Sequence, residues 1–152
     1  MKVKKAPLIF HDFFVLDTKY KFNEPEKGKI NIRELFDSYE LDFDFMAKEQ
    51  EDGEIFLFTK IHINEIENPL PGYIIFLEGL SIFSFDKTVQ LSEKEISDYI
   101  YVSGLSICIN NIRTYLTNTT SSYPFGKYQL PAIDVGELHK DKAKIEKKKT
   151  KK

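Results

Sequence analysis

Tyr39-Glu40-Leu41-Asp42-Phe43-Asp44-Phe45 alternates apolar and acidic side chains without a break. A period of two is the period of a β-strand, so Tyr39, Leu41, Phe43 and Phe45 share one face while Glu40, Asp42 and Asp44 share the other. A strand with one wet face belongs to an antiparallel sheet covered on its opposite side. Reading outward toward the C-terminus, a charged turn at 48–53 leads into residues 54–66. There Ile55, Leu57, Ile61 and Ile63 fall on one parity and Phe56 and Phe58 on the other. Asn68-Pro-Leu-Pro-Gly72 breaks that strand. Residues 73–85 follow as a nearly continuous apolar run with Gly79 inside it, where a glycine marks a bulge or a close approach. In the other direction, residues 8–22 are rich in aromatic and β-branched side chains, and Asn23-Glu-Pro-Glu-Lys-Gly28 stops them. Four strands in succession predict an antiparallel meander.

The period changes after residue 91. Ser92-Glu-Lys-Glu95 is a capping box that opens a short helix running to about 102. Gly104 interrupts, and Leu105, Cys108, Ile109, Ile112, Tyr115 and Leu116 then recur at helical spacing. Residues 117–122 are Thr, Asn and Ser, whose side chains compete with the helix for its backbone. Residues 123–131 form an extended link punctuated by Pro124 and Pro131, and residues 133–138 start a last helix. The fold class is therefore α+β: a four-stranded antiparallel sheet followed by C-terminal helices. Residues 1–138 read as one domain and residues 139–152 as a lysine-rich flexible tail.

The chain has 152 residues, 41% hydrophobic and 30% charged, with 13 Phe and 8 Tyr but no Trp. A chain of this size buries roughly two thirds of its unfolded surface, and so many aromatics exceed what a small core needs. The single cysteine, Cys108, forbids an intrachain disulfide and fits a reducing compartment. The basic start, Met1-Lys-Val-Lys-Lys5, is followed by no apolar stretch of a secretory signal. No run approaches the roughly 18 apolar residues of a membrane span, so a cytoplasmic protein is expected. The net charge of −2 hides a split: residues 139–152 carry a surplus of +6, leaving the rest at −8.

The order of elements and several short motifs resemble the SecB export-chaperone family. Phe22-Asn-Glu-Pro25 is similar to that family's Phe-x-x-Pro at the end of its first strand. Tyr39-Glu-Leu-Asp-Phe43 is similar to its second strand, and Glu78-Gly-Leu-Ser-Ile-Phe-Ser84 to its Gly-x-Phe stretch. Arg113, Tyr123-Pro-Phe125 and Leu130-Pro-Ala-Ile-Asp-Val-Gly-Glu-Leu138 follow at the family's spacing. The resemblance covers roughly residues 10–138. It implies a homotetramer built as a dimer of dimers, an apolar surface groove that holds unfolded or precursor polypeptides without ATP, and no cofactor. It also implies docking to the SecA translocase motor. The acidic positions that serve docking in the family are occupied here by Lys19, Asn23 and Phe76, so client holding carries over better than SecA binding. The alternatives are a SecB-like chaperone dedicated to one client such as an antitoxin, and a protein-binding domain of the same fold without a chaperone role.

The candidate client-binding residues are Ile30, Ile32, Leu35 and Phe36 in the connection after the first strand, Tyr39, Leu41 and Phe43 on the second, and Val135 and Leu138 at the start of the last helix. The competing reading of each is a core position. An apolar connection between strands either folds over the core or offers a binding surface. Enzymatic chemistry finds no anchor. His11, His62 and His139 are scattered, and Asp42 and Asp44 fall on the wet face, where no burial is expected to prepare a carboxyl for acid–base work. Cys108 lies on an apolar helical stripe as an inert core residue. No phosphate loop or nucleophile elbow occurs. The lysine-rich end lacks interleaved aromatics, so nucleic acid is not expected as a partner.

Overall fold

The computed structural model describes residues 1–149. Its elements are β1 (Leu8–Asn23), α1 (Ile32–Asp37), β2 (Leu41–Glu49), β3 (Ile55–Ile63), β4 (Gly72–Phe85), α2 (Glu93–Asp98), a π-helical stretch (Tyr99–Gly104), α3 (Leu105–Thr120) and α4 (Val135–Lys149). The four strands form one antiparallel sheet in the order β1-β4-β3-β2. The α+β class and the four-stranded antiparallel sheet stand as read. Only β2, β3 and β4 form a meander, however. β1 lies beside β4, so the connection 24–40 crosses the end of the sheet to reach the far edge, in Greek-key fashion. That crossing explains the apolar residues of the connection, which must fold over two intervening strands.

Alternation decides which face is covered. Ile55, Leu57, Thr59, Ile61 and Ile63 of β3 and Tyr73, Ile75, Leu77, Ser81 and Phe83 of β4 are buried on one side. α3 seals that side with Leu105, Cys108, Ile109, Ile112 and Leu116, the stripe predicted from its spacing. Each such side chain contributes roughly 1.5–3 kcal/mol on full burial, which makes this the dominant favourable contact. Gly79 meets both readings made of it. It lies against the Phe13 ring, and the register of β1 slips beside it between Val15 and Asp17.

Gly104 does not interrupt the helix. The capping box at Ser92 is present, and α2 continues through the π-helical stretch into α3. The wider π turn places buried Ile100 and buried Leu105 five residues apart on the same face, keeping both helical stripes aimed at the sheet. Gly104 is buried there, and a Cβ at this position would meet Leu57 and Leu8 only at ordinary van der Waals distance, so the glycine neither breaks the helix nor is demanded by the packing. α4 likewise extends beyond Leu138, so the lysine-rich segment expected as a frayed tail is helical to 149; its last residues, 150–152, lie outside the described residues.

An aromatic nest closes the end of the sheet that the connection crosses. Phe36 packs on Tyr39, Tyr73 and Tyr128 with ring centroids 5.5, 5.4 and 5.2 Å away. The Tyr39 hydroxyl donates to the Pro71 carbonyl and accepts from the Tyr73 amide, both at 2.8 Å. The Tyr73 hydroxyl donates to the Gly126 carbonyl and accepts from the Phe125 amide. Arg113 of α3 donates to the carbonyls of Leu130 and Pro131, pinning the extended link and setting where α4 begins.

Gly72 has a φ of +98° and faces the Tyr39 hydroxyl where a Cβ would stand. Gly72→Ala should therefore lower unfolding stability by about 2–4 kcal/mol, combining backbone strain with loss of the hydroxyl bridge. Urea denaturation checks this, and an unchanged midpoint would contradict the packing described.

Candidate functional site

A concavity lies between the β2 edge and α4. β2 pairs with β3 on one side only, and α4 stands beside its other side. The α4 residues that meet the body are spaced three and four apart. Val135, Leu138, His139, Lys142 and Ala143 are all half-buried. The His139 ring stacks on Tyr101 of the π-helical stretch at 5.0 Å and 18°. Lys142 Nζ sits 2.5 Å from Asp44 Oδ1 and lies 5.6 Å from the Phe45 ring centroid. An ion pair of this exposure is worth about 0.2–1 kcal/mol, a modest addition to the packing of half-buried Val135 and Leu138 against the core.

These contacts leave a groove of about 620 Å³. Phe45, Ala47 and Tyr101 form its inner side, His139, Lys142, Ala143 and Glu146 its α4 wall, and Met46 and Phe58 its outer side. Burial raises the Tyr101 phenol above its ordinary pKa; Glu146 adds to the rise and Lys142 offsets part of it. Tyr101 is therefore neutral throughout the physiological range and acts as a ring and a hydrogen-bonding tip. Apolar side chains dominate the lining, and Asp44, Lys60, Glu78, Lys142 and Glu146 add charge to it, a shape and chemistry suited to holding side chains.

The sequence-derived candidates fall into two groups. Leu41 and Phe43 are half-buried on the inner face of β2, and Val135 and Leu138 are half-buried on α4. Ile30, Ile32, Leu35 and Phe36 sit at the crossing connection. Leu35 and Phe36 pack against the core, Ile30 is half-buried, and Ile32 is 37% exposed. Tyr39 is only 6% exposed and spends its hydroxyl on backbone, so it supports the nest from inside. Sequence reading missed Phe45, Met46, Phe58, Tyr101, His139, Lys142 and Ala143 as groove residues. The signal for α4 was available in the spacing of positions 135, 138, 139, 142 and 143, although the lysines between them obscured it.

Cys108 takes no part in this site. Its thiol is fully buried, donates to the Ser81 hydroxyl at 3.0 Å, and is pushed up to about 11 by burial. Among the described residues no cluster of His, Cys, Asp and Glu could hold a metal ion, and no helix is long and apolar enough to cross a membrane.

The sequence matches no family model, and no curated protein matches it. Among solved structures, the fold is similar to Rv1957, a SecB-like chaperone of Mycobacterium tuberculosis, in complex with a ChAD peptide from the antitoxin HigA1 (Rv1956). The TM-score is 0.63 at 16% identity, covering 84% of this chain and 91% of that one. A protein of unknown function from Streptococcus agalactiae aligns at a TM-score of 0.35 and 9% identity, covering 82% and 97% of the two chains; at that score it carries no argument. The chain has the fold of a SecB-like chaperone, and the resemblance read from its motifs is borne out at the level of fold.

The buried thiol gives a test with a definite sign. A raised native pKa means that the unfolded chain loses the Cys108 proton first, so the contribution of Cys108 to stability is constant below about pH 9 and is lost as pH rises toward 11. The urea midpoint should decline across that window, with a smaller decline in Cys108→Ala. A midpoint equally flat to pH 11 in both proteins would contradict the burial.

Proposed function

We propose that this protein is a chaperone of the holdase type, which captures non-native polypeptide in the groove between β2 and α4 without consuming ATP. The observation that carries the reading is the groove itself. It is lined by Phe45, Met46, Ala47, Phe58 and Tyr101 and bordered by a helix attached through few contacts. Non-native chains expose apolar side chains together with unpaired backbone. An apolar trough shields the first, and a strand edge can pair with the second. Many interchangeable contacts of this kind give tolerance of sequence with useful total affinity. The reading places the protein in the cytoplasm, with unfolded or export-bound precursor polypeptides as partners.

A homo-oligomer belongs to the same reading. β1 is the other sheet edge, sixteen residues long, with Ile9, Phe10, Leu16 and Tyr20 each 38–49% exposed. A long, exposed, apolar edge strand invites pairing with a second copy. One observation favours the narrower alternative of a dedicated chaperone: the Mycobacterium tuberculosis protein of this fold holds a peptide from an antitoxin.

Ala143 lies on the groove wall where a larger side chain would fill space without disturbing the sealed sheet face. Light scattering of an unrelated protein that aggregates on dilution from denaturant should be suppressed by the wild type at equimolar ratio. Ala143→Trp should hold the same client about tenfold more weakly, equivalent to about 1.4 kcal/mol. Equal suppression by both proteins would remove the groove assignment. No suppression by either, with capture of one particular partner, would support the dedicated reading.

A further inference from the structure

The sheet face opposite α3 is not uniformly wet. β-Sheet register places Phe14, Leu80, Phe58 and Met46 in one line across all four strands, from β1 through β4 and β3 to β2. The next line toward Asp12 and Lys48 adds Ile82 and Phe56. Phe14 is 46% and Met46 59% exposed, and Leu80, Phe58, Ile82 and Phe56 are half-buried, Phe58 at the groove it shares with α4. On the other side the band ends abruptly at a charged line, Asp17, Glu78, Lys60 and Asp44. Those charges pair within the chain: Lys60 with Glu78 at 3.7 Å, Asp17 with Lys19 at 4.0 Å, and Asp44 with Lys142.

Three observations indicate what covers this band. First, it is continuous with the groove, because Met46 and Phe58 line the α4 concavity as well as the open face. Second, its size suits a single extended chain. Four strands at about 4.8 Å spacing span about 14 Å, and two lines of side chains make a patch of about 200 Å². A stable face-to-face dimer needs about 800 Å² from each partner, so a second copy of this chain is a poor fit. Third, the internally paired rim offers no net charge to select a partner by sign, which suits a partner recognised by apolar side chains alone.

We infer that a client polypeptide leaving the α4 groove passes around the β2 edge at Met46 and continues across the open sheet face to Phe14. This rests on the client-holding reading and deepens it: one client occupies two connected apolar surfaces. A segment filling only the groove then binds weakly, and a longer one gains the band as a second, tethered contact. The crossing runs perpendicular to the strands, so the band contributes side-chain burial and no backbone pairing.

The test uses two fluorescent peptides of alternating Phe and Ser with lysine ends, one of about 6 residues and one of about 16, the latter long enough for both surfaces at about 3.3 Å per residue. Fluorescence anisotropy should show the long peptide binding the wild type about tenfold more tightly than the short one. Phe14→Ser and Leu80→Thr, each checked for an unchanged urea midpoint, should erase most of that gain and leave the short peptide's Kd unaltered. If the short peptide binds but the long one gains nothing, or the variants leave its gain intact, the path across the sheet is overturned while the groove stands. If neither peptide binds the wild type, the path falls together with the client-holding reading. If the variants leave both affinities alone and instead lower the sedimenting mass, the band belongs to a second copy and the inference is overturned.

Discussion

The covering of one sheet face by α3 is the contact on which the remaining features depend. A four-stranded sheet has two faces and two edges. This chain commits its strongest apolar stripe, Leu105 to Leu116, to a single face over β3 and β4. Stability thus resides in the sheet–helix sandwich. Both edges and the second face are left over, together with α4, which meets the core through Val135 and Leu138 near its start. A protein built this way can expose apolar surface without risking its fold, because the exposed side chains are not the ones holding it together.

The connections turn that surplus into shape. β1 is paired with β4 and not with β2, so the chain crosses the end of the sheet and leaves β2 as a free edge. The nest of Tyr39, Tyr73, Phe36 and Tyr128 fastens the crossing, with each hydroxyl of Tyr39 and Tyr73 bridging two backbone groups. On the far side of the link, Arg113 holds residues 130–131 and sets α4 beside β2. The groove is the gap between the β2 edge and a helix that meets the body through Val135 and Leu138, the His139–Tyr101 stack and Lys142. Its polarity follows from the same alternation that made the core: Phe45 and Ala47 look toward the helices, Met46 toward the open face.

Much of this was legible in the sequence where a period is strict. The alternation at 39–45 gave the strand and its faces, the stripe from 105 to 116 gave the sealing helix, and Ser92-Glu-Lys-Glu95 gave its cap. Three things were hidden because they depend on contacts distant in sequence. Strand order cannot be read from hairpin signals when a connection crosses over, so the pairing of β1 was mistaken. A glycine in a helical run reads as a break, yet Gly104 sits buried within a continuous helical segment, at the end of the π-helical turn. The site was half visible: Val135 and Leu138 point to α4, but a helix in which lysines alternate with its contact residues resembles a solvated tail by composition. The open face was read as wet from β2 alone, where Asp42 and Asp44 are exposed; the aromatic band appears only when the register brings β1, β3 and β4 alongside.

On the proposed reading, the α3-sealed sheet is the stable unit, and α4 and the β2 edge form an attached, adaptable binding surface. Amide hydrogen exchange followed with and without a permanently unfolded protein tests it most directly. In the free protein the amides of α3 and the inner strands should exchange only with global opening, and those of α4 much faster. Saturating the protein with unfolded chain should slow exchange in α4 and β2 while leaving α3 unchanged. Exchange of α4 as slow as that of α3, with no change anywhere on adding the unfolded chain, would contradict the account.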